Sequence, residues 1–162
     1  MRLAVADTTP LHYLVLIGEI DMVGALVDQV LIPPEVRDEL DSQRTPAPVR
    51  AWIAAPPAWL RMQTIPAANV DPELARLDPG ERAAIALAMT VGANALLVDD
   101  RAGVAAARAR GVQAFGTLGL LQRAARRGLL DLPRAIARLA ATNFHVRQEL
   151  LDMLLDEVKA GR

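Results

Sequence analysis

The hydrophobic positions of the chain form short continuous runs, which are separated by longer stretches whose apolar residues recur at helical spacing. The continuous runs predict strands over residues 2–6, 30–32, 95–98 and 112–115. Residues 60–65 alternate between apolar and polar, in the manner of an exposed or edge strand. Because the other runs are apolar on both faces, they are typical of a parallel sheet that is covered on both sides.

Proline, glycine and cap residues mark helices between these strands. The clearest start is Asp78-Pro79-Gly80-Glu81, where an aspartate, a proline and a later glutamate resemble a capping box. Thr8-Thr9 offers a cap hydroxyl before a helix from Pro10, and Thr117 is predicted to cap a helix over residues 118–127. Other helices are predicted over residues 20–27, after Pro33-Pro34, and over 82–91, 101–110, 133–142 and 146–158. The proline-rich stretch 43–58 holds an amphipathic island over 49–54, and residues 67–77 resemble a loop with a short helical turn.

Strands that alternate with helices predict an α/β fold. The length of 162 residues fits one domain over residues 1–162, and the proline-rich stretch 43–58 is too short to be a domain linker. No apolar run approaches the ~18–20 residues of a membrane span, and the first residues lack a basic segment before their apolar stretch. We therefore expect a cytoplasmic protein without a membrane anchor.

Composition removes several kinds of chemistry. The chain has no cysteine, so it has no disulfide, thiolate nucleophile or cysteine-ligated metal. His12 and His145 are its two histidines, which excludes a histidine-rich metal site, and Lys159 is its only lysine, which disfavours P-loop and Schiff-base mechanisms. The net charge of -1 gives no overall basic footprint. Any bound metal would therefore rest on carboxylates, which prefer Mg²⁺ or Mn²⁺.

Acidic residues follow two of the predicted strands. Asp7 follows the first strand and Asp99-Asp100 follows the strand over 95–98. In open α/β sheets, ligands bind beyond the carboxyl ends of the strands. Glu81 begins the helix before the second of these strands, and Glu39 lies in the helix after residues 30–32. We expect these acids to gather at one edge of the sheet.

Each acid also has a simpler interpretation. Asp7 and Asp100 stand where aspartate commonly caps helices, Glu81 fits the capping box, and Glu39 fits a solvated helix face. Together, however, carboxylates that converge without a cationic partner repel one another unless a cation neutralises them. The combination favours a divalent metal, which can activate water and bind a phosphate oxygen.

Five segments occur in the order typical of PIN-domain proteins. They are Asp7-Thr8-Thr9-Pro10-Leu11, Pro33-Pro34-Glu35-Val36-Arg37-Asp38-Glu39-Leu40, Gly80-Glu81-Arg82-Ala83-Ala84-Ile85-Ala86-Leu87-Ala88, Leu96-Leu97-Val98-Asp99-Asp100-Arg101 and Gly116-Thr117-Leu118-Gly119-Leu120-Leu121. More narrowly, the chain resembles the short prokaryotic VapC-like subgroup from Arg2 to about Asp156.

The resemblance implies a three-layer α/β/α sandwich with a central, mainly parallel, Rossmann-like sheet. It also implies a Mg²⁺- or Mn²⁺-dependent ribonuclease, usually the toxin of a toxin–antitoxin pair. Carried over by position, the family's metal-binding acids fall on Asp7, Glu39, Glu81 and Asp100. Thr9 falls at the accompanying Ser/Thr position, and Asp99 is the alternative to Asp100 as a ligand. The chain departs from the pattern at Glu81, where many members carry Asp, and at Val98, where Thr or Ser is common.

The leading hypothesis is an endoribonuclease in which these acids hold one or two metal ions. Thr9 would orient a carboxylate or water, and Arg37 and Arg101 would contact RNA phosphates. The resemblance also implies a homodimer and a small antitoxin protein whose C-terminal segment lies across the active groove. A catalytically weak PIN-like module that binds RNA or protein remains the alternative.

Overall fold

The computed structural model describes residues 1–66, 71–145 and 148–159, and it is built around a five-stranded parallel sheet. The strands are β1 (Leu3–Ala6), β2 (Gln29–Ile32), β3 (Leu60–Met62), β4 (Ala95–Leu97) and β5 (Ala114–Phe115). Their order in the sheet is β3-β2-β1-β4-β5. The chain therefore adds β2 and β3 on one side of β1, and then crosses over to add β4 and β5 on the other side. This reversal places the topological switch point between β1 and β4.

Helices connect the strands and cover the sheet. They are α1 (Thr8–Leu16), α2 (Asp21–Leu26), α3 (Pro34–Leu40), α4 (Ala47–Ala54), α5 (Pro79–Val91), α6 (Arg101–Ala109), α7 (Thr117–Arg126), α8 (Leu132–Ala140) and α9 (Gln148–Lys159), with a 3₁₀ helix over Pro72–Arg76. In the part of the chain that the structure describes, no helix is long and apolar enough to cross a membrane.

Alternate residues of the three central strands enter two separate cores. Ala4 and Ala6 of β1 face a core that includes α1, α2, α4, α7 and α8, whereas Val5 between them faces a core that includes α5 and α6. This alternation follows from the two-residue period of a strand. The predicted three-layer α/β/α sandwich with a parallel central sheet is therefore confirmed.

Helix α5 is buried on nearly every side in its first half. All residues from Ala83 to Ala88 are buried, because the helix packs against β1, β4, α3 and α6. A helix that is apolar around its whole circumference is typical of such a central position. Its N-terminal turn therefore carries Gly80 and Glu81 into the interior, where both are buried.

Several predicted boundaries need correction. The alternating segment over 60–65 does form an edge strand, but β3 ends at Met62, and β5 comprises only Ala114–Phe115 of the predicted 112–115. The loop over 67–77 contains the 3₁₀ helix, although residues 67–70 lie outside the described part of the chain. The last helix is described from Gln148, and residues 146 and 147 of the prediction also lie outside that part.

The three predicted caps also differ from the structure. Helix α1 begins at Thr8 rather than Pro10, with Asp7 in the cap position, and α7 begins at Thr117 itself, after Gly116. Asp78 does precede α5, but its side chain makes no capping hydrogen bond. The capping-box interpretation of Glu81 is therefore wrong, and tertiary contacts account for the burial of this side chain.

Candidate active site

Asp7 lies at the switch point of the sheet. Its backbone N–H donates to the Leu97 carbonyl oxygen at 2.8 Å, which joins the ends of β1 and β4. The residue is only 5% exposed, and its side chain makes no hydrogen bond of the kind that caps a helix. Burial raises the pKa of Asp7 to about 6, and the nearby carboxylates of Glu39, Asp78 and Asp99 add to the rise. A hydrogen bond from the Thr8 backbone lowers the pKa of Asp7 and so opposes this rise.

Glu39 reaches this position from α3. Its Oε2 accepts a hydrogen bond from Thr8 Oγ1 at 2.7 Å, and its backbone carbonyl accepts one from Thr45 Oγ1 at 2.7 Å. The side chain is exposed to solvent, as a helix-face residue would be, but its carboxylate is fixed against the turn that follows β1. Sequence reasoning assigned a positioning role to Thr9 and missed this role of Thr8.

Gly80 allows Glu39 and Asp7 to approach α5 closely. A β-carbon at Gly80 would lie 2.5 Å from Glu39 Oε1 and 3.3 Å from Asp7 Oδ1. The first distance is too short for any side chain to be tolerated without movement of Glu39. The glycine therefore leaves room for two acids from different elements at the N-terminus of α5, where the helix dipole favours negative charge.

We predict that Gly80→Ala misplaces Glu39 and lowers kcat by about ten- to a hundred-fold, because displacements near 1 Å at a reacting centre can cost that much. Alanine favours a helix over glycine by about 1 kcal/mol, so any loss of thermal stability should be small. Ala105→Gly on the exposed face of α6 is the control, because it removes one β-carbon from a helix position outside the cluster of acids and should leave kcat unchanged. Equal kcat for Gly80→Ala and wild type would contradict this role of the glycine.

Glu81 enters the site from the third position of α5. It is 8% exposed, and burial raises its pKa to about 7. The carboxylates of Asp100, Asp7, Asp78 and Glu39 also contribute to this rise, in that order. The side chains from β1, α3, α5 and the end of β4 are thus close enough to influence one another's charge.

Asp99 and Asp100 have different surroundings. Asp100 is the N-cap of α6, and its Oδ2 accepts hydrogen bonds from the backbone of Ala102 and Gly103 at 3.0 and 3.2 Å. Asp99 Oδ1 accepts from the Thr117 backbone N–H at 2.7 Å, and Asp99 Oδ2 accepts from Thr117 Oγ1 at 2.6 Å. Burial raises the pKa of Asp99, and both Thr117 hydrogen bonds oppose the rise. Asp99 therefore joins the end of β4 to the start of α7.

We predict that Thr117→Val destabilises the protein by about 1–2 kcal/mol, because valine keeps the shape but removes the hydroxyl donor to the half-buried carboxylate of Asp99. Thr117 itself is fully buried. Thr90→Val is the control, since Thr90 is exposed and its hydroxyl bonds only within α5. Urea unfolding measures both, and equal stability of the two variants would argue against the Asp99–Thr117 link.

The acids lack cationic partners in the part of the chain that the structure describes. Its ion pairs join Arg110 to Asp71 and Glu73, Arg126 to Glu157, and Arg138 to Glu19. Within residues 1–66, 71–145 and 148–159, no three acidic or histidine side chains are already placed to hold one metal ion together. Mg²⁺ commonly uses one or two carboxylates and several waters, so the donor set fits a hydrated ion but not a closed protein cage.

A cavity of about 770 Å³ adjoins the acids. Thr9, Asp99, Asp100 and Arg101 line it, whereas Arg37 is exposed on α3 and does not. Phe144 and His145 also line this cavity. Sequence reasoning used His145 only to exclude a histidine-rich metal site and did not consider Phe144, because nothing in the local sequence indicates that either approaches the acids.

The sheet and its switch point define an α/β protein with an acidic cleft. A protein-family model described as a PIN domain matches residues 3–160, so the chain belongs to the PIN-domain family. PIN domains are generally nucleases that act with divalent metals. No curated protein is significantly similar to the chain.

Proposed function

We propose that this PIN-domain protein is a Mg²⁺- or Mn²⁺-dependent endoribonuclease. The observation that carries the proposal is the convergence of Asp7, Glu39, Glu81 and Asp100 at the switch point. Burial raises the pKa of Asp7 and Glu81, and no ion pair within the described residues neutralises the group. Such an arrangement is costly without a bound cation, which makes a binding role more plausible than a structural one.

In this proposal the acids hold the metal and the surrounding groups position them. A divalent ion held by these carboxylates would supply Lewis-acid chemistry, which could activate water and neutralise charge on the phosphate. Thr8 fixes the Glu39 carboxylate, and the backbone at the start of α6 fixes one oxygen of Asp100. Thr9 orients a carboxylate or water at the cavity wall, and Asp99 supports the start of α7.

Two arginines are proposed to bind the RNA backbone. Arg101 lines the cavity beside Asp100, where a guanidinium can contact a phosphate next to the cleaved bond. Arg37 lies on the exposed face of α3, two positions before Glu39, and would contact a phosphate farther along the strand.

Cleavage of structured and single-stranded RNAs tests this function. Purified protein is expected to cut RNA in Mg²⁺, and the combined Asp7→Ala and Asp100→Ala variant is expected to be inactive while it remains folded. Circular dichroism and thermal unfolding establish folding independently of activity. Equal cleavage by the wild type and the folded double variant would eliminate the proposed site.

A catalytically weak module that binds RNA or protein is the second candidate. It is favoured by the observation that, in the described part of the chain, no three ligands are already arranged around one position. Mg²⁺ and Mn²⁺ titrations separate the two candidates, because a metal that binds only the folded state raises Tm by mass action. A Tm that does not respond to either metal favours the binding module.

We further propose that the protein is the toxin of a VapC-like toxin–antitoxin pair, acts in the cytoplasm and forms a homodimer. The support is the order and spacing of the five sequence segments. A short neighbouring reading frame for a DNA-binding protein, whose product blocks cleavage, is the expected companion. Cleavage that is unaffected by that product would argue against the toxin role.

A further inference from the structure

We infer that the cavity beside the acids is a nucleobase-binding subsite, which holds one unpaired base of the RNA next to the cleaved phosphodiester. This inference rests on the proposed function. The cavity volume of about 770 Å³ falls within the range of ~300–1,000 Å³ that is usual for small-ligand sites. Its size therefore suits a nucleotide unit as the occupant.

The lining of the cavity combines polar and apolar groups. Thr9, Asp99 and Asp100 contribute polar groups next to the proposed metal site. Leu118 of α7 and Leu150 of α9 contribute apolar surface, and Leu150 is 37% exposed. A nucleotide combines the same two kinds of group, an anionic phosphate and a flat, largely apolar base.

Two aromatic side chains add flat surface to the lining. Phe144 and the exposed His145 both line the cavity. Unpaired bases commonly stack on such rings, and this contact tolerates different base identities. Arg101, at the first position of α6, adds a cation at the rim. The aromatic surface suits a base, and the cation suits a phosphate. The acids suit the metal-assisted cleavage site.

The Phe144 ring is held in place before any ligand binds. Phe144 packs edge-on against Tyr13 of α1, with ring centroids 4.9 Å apart. The Tyr13 hydroxyl donates to Asn143 Oδ1 at 2.6 Å, and the Phe144 backbone N–H donates to Thr142 Oγ1 at 3.1 Å. These contacts fix residues 142–144 against the helix that follows Asp7. A Phe144 ring that is already positioned loses little conformational entropy when a base binds.

Gly119 leaves space in the cavity beside α7. It lies at the third position of α7, and it is not among the glycines that have a positive φ. A β-carbon there would meet no atom within 4 Å. Glycine disfavours a helix relative to alanine, so neither backbone conformation nor packing explains this residue. It does keep the cavity free of a side chain.

A binding experiment with matched RNAs tests the inference. Fluorescence anisotropy would follow a single-stranded oligoribonucleotide binding to wild type, Gly119→Leu and His145→Ala, in Ca²⁺ so that oxygen ligands are satisfied. We expect Gly119→Leu to weaken binding about ten-fold and His145→Ala about five-fold or more, in the range of losses per stacked base. Tm should stay constant or rise by a few degrees in Gly119→Leu, because a helix glycine is replaced.

Abasic substitutions identify the contact. An abasic nucleotide at one position of the RNA should weaken binding to wild type. On that abasic RNA, wild type and His145→Ala should have equal affinity, since the two changes remove the same interaction. The dependence of affinity on salt should not change, because no phosphate contact is lost. Ala105→Leu on the exposed face of α6, outside this cavity, is the control and should bind normally.

The outcomes separate this inference from the proposed function. Normal binding by Gly119→Leu and His145→Ala would overturn the subsite even if wild type cleaves RNA. A basic peptide serves as a second probe. If Gly119→Leu and His145→Ala lose binding to this peptide but bind RNA normally, the cavity holds a protein segment and the nucleobase subsite is overturned. Abasic-dependent binding without any cleavage would support the subsite and refute the ribonuclease.

Discussion

Asp7→Asn is expected to stabilise the metal-free protein and to remove nearly all cleavage. Burial raises the pKa of Asp7 from 3.8 to about 6, so the ionised carboxylate is unfavourable in the folded state. A rise of this size corresponds to at most about 3 kcal/mol at pH values above ~7, which a neutral amide would recover in part. Loss of a proposed metal ligand should lower kcat by at least about 10³-fold, since metal stabilisation of the transition state amounts to several kcal/mol.

Chemical denaturation and single-turnover cleavage measure the two effects on the same preparation. Asp28→Asn is the matched control, because it makes the same change in charge at an exposed position outside the cleft. Its stability should differ from wild type by no more than about 0.5 kcal/mol. A destabilised Asp7→Asn protein, or one that still cleaves RNA normally, would contradict the account.

The metal-free protein is also expected to lose stability as pH rises between about pH 4 and pH 7. The folded-state pKa values of Asp7 and Glu81 are about 6 and about 7, above the ordinary values of 3.8 and 4.5. The folded protein therefore binds protons more tightly than the unfolded chain in this window. The tighter proton binding by these two carboxyls stabilises the folded state at low pH, and this stabilisation is lost once pH exceeds the folded-state pKa values.

Mg²⁺ should reverse this trend. Metal binding requires deprotonated carboxylates, so added Mg²⁺ should raise Tm strongly near about pH 8 and only slightly near about pH 5. Differential scanning calorimetry with and without metal measures the effect across pH. In Asp7→Asn both the loss of metal-free stability and the Mg²⁺ response should be smaller. A metal-free Tm that rises steadily from pH 5 to 8 would contradict the burial argument.

The sheet and the position of Asp7 could be predicted from the sequence because both depend on local patterns. Continuous apolar runs mark buried parallel strands, and an acid directly after a strand must lie at the carboxyl edge of the sheet. The switch point between β1 and β4 then follows from the order of the strands. Short edge strands such as β5 are less predictable, since two residues carry little periodicity.

The contacts of the site could not be predicted because they join distant segments. The Thr8 hydroxyl looked like a local cap but binds Glu39, which lies 31 positions away. Glu81 looked like part of a capping box, although its environment depends on acids from other elements. Asp99 is held by Thr117, 18 positions away. In each case local spacing indicated a helix start, and tertiary packing determined the actual partner.

The most direct test of the central claim is the Mg²⁺ dependence of RNA cleavage by wild type, Asp7→Asn and Asp28→Asn under single-turnover conditions. The account predicts cleavage that saturates with Mg²⁺ in wild type and Asp28→Asn, and no measurable cleavage in Asp7→Asn despite its higher stability. Because the inactive variant is the more stable one, unfolding cannot explain its loss of activity. Cleavage by Asp7→Asn at the wild-type rate, or cleavage by wild type that ignores Mg²⁺ and Mn²⁺, would contradict a carboxylate-held metal at the end of β1.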